Sequence, residues 1–88
     1  MLFRKPKLSC DLSCTSFEML KDAIAQYGIE TASLSQSDQL KSLKMDDIDF
    51  LESLQLIEKL ISARISKDGI GPSTTLAEVV ALIDRARG

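Results

Sequence analysis

Five carboxylates, Asp46, Asp47, Asp49, Glu52 and Glu58, crowd one short stretch with no base among them. Acids at this density can bind cationic groups or, with a suitable second group, move protons. The second use lacks its other half. The chain has no histidine, which removes the commonest general base and the commonest zinc ligand. Cys10 and Cys14 form a C-x3-C pair with no third cysteine, and two thiolates are too few to close a structural zinc site. They could join in a disulfide or remain ordinary free thiols in a reducing compartment, and free thiols are the simpler reading. No phosphate-binding glycine loop, HExxH helix or nucleophilic-serine motif occurs. With no acid–base pair, activated nucleophile or metal set to name, the sequence does not read as an enzyme. What remains is binding. A single-sign acidic run suits a basic partner surface, although a plainly solvated helix face has the same composition.

The acids must be positioned by a helix. Ile48, Phe50, Leu51, Leu54, Ile57, Ile61 and Ile65 recur at spacings of three and four with no Gly or Pro between them, which predicts an amphipathic helix from about Asp47 to Ala63. Asp46 and Asp47 at its start can cap free amides and face the positive end of the helix dipole. An earlier helix is expected from Thr15 or Ser16, where Thr15 and Glu18 read as a capping box. Phe17, Leu20, Ile24 and Tyr27, with Ala23, form its apolar stripe, and Gly28 is its natural C-cap. A second capping box, Thr75 and Glu78, opens a last helix with Leu76, Val79, Val80 and Ile83 facing the core. Between the first two helices lies a long polar connection, 29–44. Leu34, Leu40 and Leu43 would pin it down, and Ser35 to Asp38 could cap a short turn of helix. Residues 66–72 carry two glycines and a proline and read as turns. Residues 1–12, with Pro6 and the bases Arg4, Lys5 and Lys7, read as a flexible basic arm ahead of a single helical domain over 13–88.

The triplet Asp46-Asp47-Ile48, opening a long acidic helix, resembles the start of the second helix of the acyl carrier protein family. In that family an Asp-Ser-Leu motif stands there, and its serine carries the 4′-phosphopantetheine arm. The likeness runs without a gap. Phe50, Leu54, Ile57 and Ile61 match core positions of the family, and Thr74-Thr75-Leu76 matches the start of its last helix, so the resemblance spans roughly residues 16 to 86. It implies an all-α fold, a small bundle of three to four helices with a long loop between the first two long ones. It also implies partner recognition by Asp46, Asp49, Glu52 and Glu58, with Leu51 and Gln55 as the exposed contact. The departure falls on the chemistry: Asp47 replaces the serine. Arm attachment needs a hydroxyl that attacks phosphorus and leaves a stable phosphodiester, whereas a carboxylate would give a hydrolysable acyl phosphate. The resemblance therefore implies an interaction module without the cofactor.

Two alternatives stay open. One is a genuine acyl carrier, serving fatty-acid or polyketide-type acyl transfer, whose serine is altered in this form of the chain or whose 4′-phosphopantetheine sits at Ser53. Ser53 lies in mid-helix, however, where a serine ordinarily bonds back to its own backbone. The other is an unrelated helical bundle with a structural or regulatory role. Composition narrows the field. The 88 residues are 44% hydrophobic, enough for one small core, with only Phe3, Phe17, Tyr27 and Phe50 as aromatics. Setting Arg4, Lys5 and Lys7 aside leaves 8 bases against 13 acids, so nucleic-acid binding is not expected. No run reads as a secretory signal or a membrane span. A cytoplasmic monomer with a basic protein partner is the expectation.

Overall fold

Three α-helices carry the structure, a computed structural model that describes residues 8–88. They are α1 (Ser16–Ala25), α2 (Asp47–Ile61) and α3 (Leu76–Arg87), with a short 3-10 helix over Leu40–Ser42. No strand occurs among the described residues, which hold one isolated antiparallel bridge, Gln39 with Thr75. The basic residues of the expected arm, Arg4, Lys5 and Lys7, lie outside the described residues.

Both capping boxes form. The Thr15 hydroxyl accepts from the Glu18 amide at 3.1 Å, and the Glu18 carboxylate accepts from the Thr15 amide at 2.7 Å. Thr75 and Glu78 repeat this at 3.2 and 2.8 Å. Each box satisfies two amides that a helix start leaves without partners. α1 ends at Ala25 with Gln26 as its cap, and Gly28 instead closes the tighter turn that follows, in the left-handed region at φ 82. α2 stops at Ile61, two residues short of the expected Ala63. Ser62 takes a left-handed conformation (φ 56) and its amide donates to the Glu58 carbonyl. That conformation costs a residue with a side chain about 1–2 kcal/mol.

The core is aliphatic: Met19, Leu20, Ala23 and Ile24 from α1, Phe50, Leu54 and Ile57 from α2, Leu76, Val79 and Ile83 from α3, with Leu43 and Ile65 from the connections. α1 is the central helix and packs on both α2 and α3. Phe17 and Tyr27 prove half-buried, while Met19, absent from the expected stripe, is fully buried. The buried arc of α1 is centred between Ser16, Leu20 and Ala23, so Phe17 lies at its edge and carries the Lys21 ammonium 4.8 Å from its ring centroid. α3 also holds the chain ahead of α1. Asp84 accepts a hydrogen bond from the Ser16 hydroxyl. Arg87 donates to that hydroxyl at 3.1 Å and to the carbonyls of Cys14 and Leu12 at 3.1 and 2.9 Å.

The long connection is fastened to the start of α3 rather than left free. Leu40 and Lys41 amides donate to the carbonyls of Thr74 and Pro72 at 2.8 and 2.9 Å, and Leu76 and Ala77 amides donate to Asp38 and Gln36 carbonyls at 2.8 Å each. Leu43 is buried, with Leu34 and Leu40 half-buried against the core. Residues 66–72 hold turns and no helix, with Gly69 at φ 80.

Candidate docking face and cleft at the start of helix α2

Helical geometry divides the six expected contact residues into different environments. Successive residues turn by about 100°, so Asp47, Leu51 and Gln55 follow one line along α2, and Ile48 and Glu52 follow the next. All five are exposed. Ile48 is 69% exposed and Leu51 38%, two of the three large hydrophobic residues left open among the described residues; the third is Leu12. The apolar repeat takes in both Ile48 and Leu51, and Ile48 is the more exposed of the two. It stands roughly 160° around the helix from Phe50, so it shares the spacing of the core residues and not their face.

The acids do not form one continuous surface. Asp46 is the N-cap, and its carboxylate accepts from the Asp49 amide at 2.8 Å. Asp49 is half-buried on the flank toward α1, where Tyr27 comes close. The Tyr27 phenol is pushed above its usual range, first by burial and then by the nearby Glu52 and Asp49 carboxylates. Glu58 turns away from the face altogether. Its carboxylate accepts from the Ile65 amide at 2.8 Å and pairs with the Lys67 ammonium at 2.7 Å. This is the single ion pair among the described residues, so no described Lys or Arg nitrogen lies within 4.0 Å of the Asp47, Asp49 or Glu52 carboxylates. Burial alone would raise the Glu58 pKa; the Lys67 hydrogen bond, the Ile65 amide and the charges of Lys67 and Arg64 outweigh it and hold the carboxyl below its usual range.

Ser53 is fully buried, and its hydroxyl donates to the Phe50 carbonyl at 2.6 Å. Any group attached there would have to displace core side chains. Asp47 by contrast is exposed in the first turn of α2. Beside it opens a cleft of about 470 Å³ between the 3-10 helix, the start of α2 and the 67–72 turn. Leu40, Leu43, Met45, Phe50, Leu51 and Ile70 give it an apolar lining, and Lys41, Asp46, Asp47 and Lys67 also border it. Nothing in the local sequence announces this cleft, because its walls come from two separated stretches, 40–51 and 67–72.

The cysteines offer no competing site. Both are half-buried free thiols. The Cys10 thiol is pushed up to about 12 by burial, by its hydrogen bond and charge interaction with Cys14, and by Asp22 and Glu18. A thiol so held is protonated at neutral pH and a poor nucleophile. Among the described residues no three Cys, Asp or Glu side chains are grouped to hold a metal ion, and no helix is long and apolar enough to cross a membrane. No family model, curated protein or solved structure matches the chain.

Proposed function

We propose that this chain is a docking module of the acyl-carrier type that has no place for the 4′-phosphopantetheine arm. It would meet a basic enzyme surface through the exposed lines of α2, as a cytoplasmic monomer, and perform no catalysis itself. The observation that carries this reading is the exposure of Ile48 and Leu51 between Asp47 and Glu52. Apolar anchors framed by unpaired acids are what a basic, partly apolar partner surface recognises, with charge setting on-rate and orientation. Glu58 drops out of the contact set because its carboxylate is engaged inside the fold.

The test is arm transfer. Incubated with coenzyme A and a broad-specificity phosphopantetheinyl transferase, the chain as it stands should gain no mass, and the Asp47→Ser variant should gain one phosphopantetheine. A gain in the unmodified chain would mean that another residue carries the arm. No gain in either would remove the carrier-type part of the proposal and favour an unrelated helical bundle. In the Asp47→Ser background, Glu52→Lys should raise the KM of the transferase about fivefold, equivalent to about 1 kcal/mol, with the melting midpoint unchanged. A comparable fall in melting would place Glu52 in the fold rather than on the face. A second reading, a working carrier whose serine is altered here, is favoured by the apolar cleft beside position 47, which would shelter an apolar group tethered there.

A further inference from the structure

The outer ridge of α2 carries opposite charges at its two ends. With a turn of about 100° per residue, Ile48, Glu52, Gln55 and Lys59 all lie within about 40° of the direction opposite Phe50. All four are exposed. Acids stand at the start of the ridge, at Asp47 and Glu52. Bases stand at its end, at Lys59 and, just beyond the helix, Arg64. None of these four has an oppositely charged side chain within 4.0 Å among the described residues.

A knob and a hollow accompany the charges. Ile48 is the knob, 69% exposed beside the acids. At the other end of the helix lies an open hollow of about 570 Å³, bordered by Lys59, Ser62, Ala63, Arg64 and Lys67. The one acid at its rim, Glu58, is already engaged by the Lys67 ammonium and the Ile65 amide. The hollow is therefore basic where the knob is acidic.

We infer that two copies of the chain pair through α2, antiparallel about a two-fold axis that passes between Gln55 and Leu56. That axis sets Glu52 against Lys59 of the second copy, Asp47 against its Arg64, and Ile48 against its Ala63 at the hollow. Two-fold symmetry makes each contact twice. Antiparallel helices also place each positive dipole end beside a negative one, whereas a parallel pair would oppose like charges. A second copy is the occupant these observations select, because one surface of this chain holds both halves of the match. The pair covers the ridge used in the docking reading, so pairing and partner binding exclude each other and the single chain is the docking form. The inference itself rests on the geometry and charge of α2 and not on that reading.

The test uses the full chain with no partner enzyme, so its failure leaves the docking reading standing. Sedimentation equilibrium is run over roughly 10 µM to 1 mM, where a contact of this small size dissociates. The mass should rise from 9.7 kDa toward twice that value. Glu52→Lys and Lys59→Glu, each alone, oppose like charges at both symmetric contacts and should weaken pairing at least about tenfold. An equimolar mixture of the two variants should pair again, because each then offers the other opposite charges. Recovery in the mixture also shows that neither replacement has damaged the fold. A parent chain that stays at 9.7 kDa throughout would overturn the inference. So would a mixture no more associated than its components, which would give the ridge to a different protein or the hollow to an anion such as phosphate.

Discussion

Replacing Glu58 by alanine should destabilise the protein by about 1–3 kcal/mol, the cost of leaving a partly buried amide without an acceptor. The amide is that of Ile65, whose side chain sits in the core at 3% exposure. Glu58 thus fixes the chain where it leaves α2, and its carbonyl also receives the cap amide of Ser62. The Lys67 pair adds less, since that lysine is one-third exposed and such pairs contribute under ~1 kcal/mol. Glu58→Gln separates the two effects, because the amide oxygen still accepts from Ile65 while the charge is gone; most of the loss should be recovered. The sign of the pH dependence follows from the depressed carboxyl. Its contribution is complete above the ordinary glutamate range and is lost as pH falls through the lower folded value. Urea midpoints measured down the acid range should therefore converge for the native chain and Glu58→Gln. An alanine variant as stable as the parent at neutral pH would return Glu58 to the docking face.

Leu54→Ala should cost more, roughly 2–5 kcal/mol, the range for emptying a fully buried leucine site. Leu54 is 0% exposed on the face of α2 that packs against the core. For a small domain this is a large share of the total. Leu51, three residues earlier on the same helix, is the control. At 38% exposure, its replacement by alanine should shift stability by no more than about 0.5 kcal/mol and act on docking instead. Equal losses at the two positions would mean that the face assigned to partners is buried in the working protein.

What could be read from the sequence was local. Thr15 with Glu18, and Thr75 with Glu78, declare their helix starts three residues apart, and the structure forms both boxes. Phe50, Leu54 and Ile57 declare the buried side of α2 by spacing. The ambiguity at Ile48 is also local: spacing alone admits it to the core, and only its angle from Phe50 removes it. The parts that stayed hidden depend on residues far apart in the chain. Glu58 looked like one acid among five until Ile65 and Lys67 came round to it. Arg87 looked like a charge suited to the end of a helix, and its three donated bonds reach back more than seventy residues to Leu12, Cys14 and Ser16. The cleft beside Asp47 needed the 3-10 helix and the 67–72 turn to meet the start of α2.

The bonds between residues 36–41 and 72–77 set a rule for how the chain can change in length. A free tether would absorb extra residues anywhere between α1 and α2. Here there is room near Ala32 and Ser33, which are exposed and lie in a turn. An insertion between Gln36 and Lys41 would throw the Gln39–Thr75 bridge out of register and draw Leu40 away from the cleft. It would also strip the first amides of α3 of their acceptors at Asp38 and Gln36. Two stretches more than thirty residues apart are thereby bound to vary together, and relatives of this protein should differ in length on the α1 side of Gln36 and hold it constant beyond.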